Sequence, residues 1–198
     1  MYKYFTIEEV FIDEISVKDS RFIAYLHPIS SKEDFDKILK SLWKEHHKAR
    51  HICYAYQLDD KTFHYYDDGE PSGTAGLRIY SAIKIKNLNY AALFVVRYFG
   101  GTKLGTGPLA KAYFDASKKV LNKAKIVEKY FTVTFLIKLT YNQFERLKKI
   151  LIEFTPNELK PTYTENIELK ISVKEDLVEK FKILMKENGI ETSLISSQ

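Results

Sequence analysis

The chain is poor in cysteine, methionine, tryptophan and glycine. A single cysteine, Cys53, in 198 residues excludes an internal disulfide framework and any Cys-rich zinc site, and it suits a reducing cytoplasm. No stretch approaches the ~20 consecutive apolar residues that span a bilayer. The opening segment MYKYFTIEEVFIDE has neither a continuous apolar core nor a small-residue cleavage pattern. A cytoplasmic protein without membrane association is the expectation. No H-E-x-x-H, G-x-S-x-G or zinc-ligand spacing occurs, so no metal or cofactor is implied. Arginine is scarce as well, five against 26 lysines. Three of the five, Arg50, Arg78 and Arg97, fall in or beside the glycine-rich region, where a planar bidentate donor differs from a lysine.

What is present is 45% apolar, 14% aromatic and 29% charged residues with a net charge of +5, the composition of a globular protein that leans weakly towards anionic partners. Neither half carries a basic tail, so charge alone does not argue for nucleic acid. The few glycines are concentrated: seven of eight lie between Gly69 and Gly107, four of them within RYFGGTKLGTGPLAKAY. Such clustering means tight turns or a backbone that must come close to something.

The pattern of elements predicts two α+β domains. Strands are expected at EVFIDEISVKDS, RFIAYLHPI, HICYAYQL and TFHYYD. A helix follows the second strand, with Phe35, Ile38, Leu39 and Leu42 on one face and a capping box formed by Ser30 and Glu33. After the polar loop DDGEPSG comes a short helix near TAGLRIYSAI, then the buried strand AALFVVRYF. GPLAKAYFDASKKVLNKA is a helix with Gly107 at the cap, Pro108 at the first helical position, and Leu109, Ala112, Tyr113, Ala116 and Val120 facing inward. From residue 127 to 198 the order strand–helix–strand–strand–helix–strand is the ferredoxin-like βαββαβ pattern, with Gly189 as a helix C-terminal cap. The boundary is placed between residues 126 and 127.

Phe99–Pro108 is not a P-loop. Gly100 and Gly105 have the right separation, but Thr106 and Gly107 stand where a lysine and a hydroxyl residue are needed. GTGPLA matches G-x-G-x-x-A formally, yet the preceding strand ends about six residues too early for a dinucleotide turn. The underlying physics still applies, because a glycine loop entering a helix presents backbone N–H groups and a favourable dipole to an anion. The candidate anion or nucleic-acid site is Arg97, Gly100, Gly101, Lys103, Gly105, Thr106 and Gly107. The alternative is that these glycines only pack against the second glycine loop, YYDDGEPSGTAG.

That second loop offers Asp68, Glu70, Ser72, Gly73 and Thr74 as groove partners. Its carboxylates lack the alternate spacing of a calcium loop. Either they shape a turn, with Ser72 or Thr74 capping the next helix, or Asp68 or Glu70 orients Arg97 or Lys103 across a groove. His51 and Cys53 alternate on one strand and share a face. They are either a nucleophilic pair or a buried thiol beside a satisfied histidine. Tyr65, Tyr66, Tyr98 and Phe99 flank the loops, as core residues or as stacking platforms.

DDGEPSGTAG, followed by LFVVRYFGGTKLGTGPLAKAY, together with KDSRFIAYLHPIS and KARHICYAY upstream, resembles the IMPACT family, in particular its bacterial YigZ-like branch. The resemblance covers essentially the whole chain. Pro108 and Lys111 stand where members commonly have Gly or Arg, and Ile52 where a second His is common. The resemblance implies an N-terminal domain with the fold of a ribosomal-protein second domain and a C-terminal domain similar to those ending elongation factor G. It also implies a non-catalytic role like that of eukaryotic relatives, which regulate translation during amino-acid starvation through protein contacts. The expected partners are RNA or ribosome-associated factors. The alternatives are an enzyme on a small phosphorylated or nucleotide substrate, with Asp68, Glu70 or His51 as acid or base, and a protein-interaction adaptor.

Overall fold

The computed structural model describes residues 3–197. It is α+β, as expected, and divides into two compact units, one of them Phe5–Val127 and the other running from Glu128 onwards with Lys3 and Tyr4 added from the N-terminal end.

A short β1 (Lys3–Thr6) begins in the unit that holds Lys3 and Tyr4, and the Phe5–Val127 unit is built on β2 (Phe11–Val17), β3 (Ser20–Pro28), β4 (His51–Gln57), β5 (Phe63–Tyr66) and β6 (Ala91–Tyr98). The five form an antiparallel sheet in the order β2-β3-β6-β4-β5. Its central strand, β6, is apolar at every position from Ala91 to Val96 because it is covered on both faces. Phe22, Ala24, Leu26, Cys53, Ala55, Leu93 and Val95 face one core, shared with α2 (Gly76–Ile85) and α3 (Thr106–Lys123). Ile23, Tyr25, Ile52, Tyr56, Phe94 and Val96 face the other, covered by Phe35 and Leu42 of α1 (Lys32–Glu45).

Helix starts differ from expectation in instructive ways. α1 is capped by Ser31, not Ser30, whose hydroxyl accepts from the Asp34 N–H. The Ser30 hydroxyl instead bonds the Asp34 carboxylate. α3 begins two residues early, with Gly105 as its N-cap at φ +80°, a left-handed conformation that glycine adopts without steric cost. Its inward face is as expected: Leu109, Ala112, Tyr113, Ala116 and Val120 are all buried.

The two glycine loops do not pack against each other through their glycines. A Cβ on Gly100 would collide with the backbone of Asp19 and Ser20, and one on Gly76 would lie 2.6–2.8 Å from the backbone of Tyr66. Gly100 therefore seats the Phe99–Pro108 loop on the two-residue turn Lys18–Asp19, where both residues have positive φ and close the β2–β3 hairpin.

In the second unit β8 (Thr132–Leu139), α4 (Tyr141–Phe154), β9 (Pro161–Tyr163), β10 (Ile167–Lys174), α5 (Val178–Glu187) and β11 (Thr192–Ser197) follow in order. The sheet runs β11-β8-β10-β9. Alternate residues Phe135, Ile137, Leu139, Ile167, Leu169, Ile171 and Val173 meet Phe144, Leu147, Leu151, Phe181 and Met185 of the helices. Gly189, at φ +64°, follows the end of α5 and donates to the Lys186 carbonyl. β7 (Val127–Tyr130) pairs with β1 rather than extending β8.

Candidate functional site

Strand register brings the chemistry together. β6 lies between β3 and β4, so Arg97, near its end, sits opposite Phe22 on one side and His51 on the other. Odd-numbered positions of β4 and β6 face α3, which puts His51, Cys53 and Arg97 beneath the start of that helix. At this end of the sheet a cleft of about 610 Å³ is lined by Arg50, His51, Glu70, Pro71, Arg97, Phe99, Lys103, Leu104, Gly105, Thr106 and Leu109. That volume suits a small molecule or a single nucleotide unit.

The floor is a buried polar network. Arg97 is only 5% exposed, and its Nη1 donates to Glu70 Oε1 at 2.5 Å. The Tyr113 hydroxyl donates to the same oxygen at 2.7 Å. Arg97 Nε has no hydrogen-bond partner, and the guanidinium lies over the rings of Phe22 and Phe99, 5.4 and 5.7 Å from their centroids. His51 Nδ1 is 2.6 Å from the Asp68 carbonyl, which fixes a proton on Nδ1 and leaves Nε2 as the acceptor of the neutral ring. That Nε2 is 3.9 Å from Glu70 Oε2.

Cys53 is no nucleophile in this setting. It is fully buried, and its thiol donates to the Asp67 carbonyl and the Tyr113 hydroxyl. Burial pushes both the thiol and the Tyr113 hydroxyl far above their ordinary pKa ranges, so both remain protonated.

The rim differs from the floor. Arg50 and Lys103 are exposed and form no ion pair among the described residues. α3 starts at the same cleft, with no side-chain cap and no acidic residue in its first turn. Its positive dipole end is thus unneutralised by the protein. Pro71, Leu104 and Leu109 supply apolar wall, and Phe99, 47% exposed, supplies an open ring face.

Of the residues expected to bind an anion, Lys103, Gly105 and Thr106 line the cleft. Arg97 also lines it, but as a buried partner of Glu70 and not as a free cation. Gly100, Gly101 and Gly107 do not line it; Gly100 is spent on the β2–β3 turn. Of the groove partners only Glu70 reaches the cleft. Asp68 accepts from the Ile52 N–H at 2.8 Å and so ties the loop to β4. Ser72 is exposed, and the Thr74 hydroxyl donates to the Pro71 carbonyl. Neither caps α2. That task falls to Asp67, whose carboxylate accepts from the N–H groups of Gly73, Ala75 and Gly76 at 2.8–2.9 Å. The candidate anion site read from the sequence did not include Arg50 or the Tyr113 hydroxyl, and Phe99 stood there only as a flanking aromatic, either core or stacking platform. Arginine scarcity was the one signal that pointed to Arg50.

Of the four flanking aromatics, Tyr65, Tyr66 and Phe99 are 40–48% exposed. The Tyr98 hydroxyl is hydrogen bonded to His46 Nδ1 at 2.9 Å.

Fold and site together define a two-unit α+β protein with a cation-rimmed cleft beside a glycine-rich strand-to-helix turn. Residues 18–121 match the Impact N-terminal domain. The chain is 33% identical over 191 residues to the IMPACT family member YvyE of Bacillus subtilis, covering 94% of this chain and 87% of that protein. It is 31% identical over 185 residues to an IMPACT family member of Haemophilus influenzae, covering 91% and 90%. A crystal structure described as that of a hypothetical protein superposes over both full chains with a TM-score of 0.69 at 25% identity. The chain belongs to the IMPACT family. Among the described residues no helix is long and apolar enough to cross a membrane.

Proposed function

We propose that the protein is a cytoplasmic regulator acting on the translation machinery, and that the cleft holds a phosphate and the adjoining base of single-stranded RNA. The observation that carries this reading is the pair of unpaired cations, Arg50 and Lys103, beside the uncapped start of α3. Phosphate oxygens would take charge from the two side chains and a hydrogen bond from the N–H of Thr106, the cleft-lining first residue of α3. Phe99 offers its exposed face for stacking, worth about 1–3 kcal/mol per base. Arg97 serves from below, holding Glu70 in place.

The domain assignments accompany this reading. Residues 1–126 are taken as the IMPACT-type domain with the fold of a ribosomal-protein second domain. Residues 127–198 are taken as ferredoxin-like, supported by the βαββαβ order and the β11-β8-β10-β9 sheet.

The test is fluorescence anisotropy with labelled single-stranded RNA across a salt series. Arg50→Ala with Lys103→Ala is expected to weaken binding and to reduce the salt slope by about 0.7 for each phosphate that the variant no longer neutralises. An unchanged affinity and slope would remove the cleft from the reading. A second reading, a free phosphorylated metabolite, is favoured by the His51–Glu70 contact; a mononucleotide that binds where the RNA does not would select it.

A further inference from the structure

The floor of the cleft holds more than a binding site requires. RNA binding needs cations and a stacking face, yet this cleft also contains an imidazole whose tautomer is fixed. His51 lines the cleft; its Nδ1–H donates a hydrogen bond to the Asp68 carbonyl, and its Nε2 lies 3.9 Å from Glu70 Oε2. Its side chain is 16% exposed, enough to meet a ligand while being held by its surroundings. Glu70 is locked in turn by Arg97 and Tyr113. This is the arrangement of a proton acceptor: one nitrogen oriented by a fixed partner, the other open, and a carboxylate near enough to stabilise the imidazolium.

We propose that the cleft cleaves RNA by attack of a ribose 2′-hydroxyl on the adjoining phosphodiester, with His51 as the base. The proposal rests on the reading that the cleft holds an RNA nucleotide. His51 Nε2 takes the 2′-hydroxyl proton as the 2′ oxygen bonds to phosphorus. The bond from phosphorus to the 5′ oxygen breaks, and that oxygen takes its electron pair and receives a proton from the Lys103 ammonium. The products are a 2′,3′-cyclic phosphate and a 5′-hydroxyl. Proton loss from His51 and proton gain by Lys103, both exchanged with water, complete the cycle. Arg50 and the start of α3 face the charge that grows on the phosphoryl oxygens. No oxidant or co-reactant enters the balance.

The test uses the full chain, a 5′-labelled single-stranded RNA and its all-2′-deoxy counterpart, with binding read by anisotropy and products by gel and mass. The wild-type protein is expected to yield the cyclic phosphate from RNA and to bind but not cut the deoxy strand. His51→Gln should bind RNA normally and lose at least ~100-fold in cleavage rate. Lys103→Arg keeps the charge but is a poor proton donor. It should bind, cleave slowly, and recover on a substrate whose leaving oxygen is replaced by sulfur, whereas His51→Gln should not recover. RNA that binds and stays intact overturns the proposal and leaves the binding reading standing. RNA that does not bind overturns that reading. Cleavage undiminished in His51→Gln assigns the activity to another nuclease and overturns the proposal.

Discussion

Arg97 and Glu70, 27 positions apart in the chain, form an ion pair with both side chains nearly sealed from water, 7% and 5% exposed. Each would be costly alone in that place, because a buried charge that loses its partner keeps its desolvation penalty. The pair therefore fastens the DDGEPSG loop to the end of β6 and fixes the cleft floor.

Removing one member should show this directly. Glu70→Ala leaves the Arg97 charge and the Tyr113 hydroxyl without their acceptor, and is expected to cost about 3–5 kcal/mol in urea unfolding. Replacing the pair together, Glu70→Leu with Arg97→Met, should cost less than the single change, since no orphaned charge remains. A double variant as unstable as Glu70→Ala would mean that shape, not charge, holds the loop.

The Asp67 carboxylate gathers three N–H groups at the entry to α2. Asp67→Ala should therefore destabilise by about 1–3 kcal/mol through the absence of charge-assisted hydrogen bonds. Ser72→Ala, at an exposed position a few residues on, should stay within about 0.5 kcal/mol of the wild type. Equal effects in thermal unfolding would return the capping role to the serine.

Gly100 meets the backbone of Asp19 and Ser20 at distances no Cβ tolerates. Backbone cannot rotate away as a long side chain does, so Gly100→Ala must push the 100–105 loop off the β2–β3 turn. The expected result is a destabilisation of about 1–3 kcal/mol, together with altered hydrogen exchange at both segments. Unchanged exchange at residues 18–20 would show that the two segments do not touch in solution.

Much of the fold is legible in the sequence because local signals agree with tertiary demands. Tyr141–Phe154 supplies the first helix of the expected strand–helix–strand–strand–helix–strand order, since its apolar residues recur at helical spacing and Phe144, Leu147 and Leu151 all reach the core. β6 is readable because an unbroken apolar run of that length suits a strand covered on both faces. The site is less legible, since its neighbours are created by strand order. Nothing local says that His51 will lie across from Arg97; that follows from β4 pairing with β6. Asp67 escapes notice as a cap because it lies eight and nine residues before the N–H groups it accepts from, where no local capping rule reaches. Tyr113 reads correctly as a core residue, but its hydroxyl bond to Glu70 spans 43 positions.

His27 gives a pH-dependent test of the other face of the sheet. Its Nε2 is buried with no partner, near the rings of Phe94 and Tyr25, and burial holds its pKa below the usual 6.5. The unfolded chain therefore takes up a proton at this residue at higher pH than the folded chain does. Stability from this group is whole above about pH 6.5, falls as the pH drops towards the lower folded value, and then levels. His27→Phe removes both the titration and the unsatisfied nitrogen while keeping a ring in place. The variant should match or exceed the wild type near pH 7.5, and its advantage should widen at about pH 5. Urea midpoints measured at both pH values check this. An advantage that stays constant or shrinks on acidification would mean that His27 is protonated as readily in the folded protein as in the unfolded one.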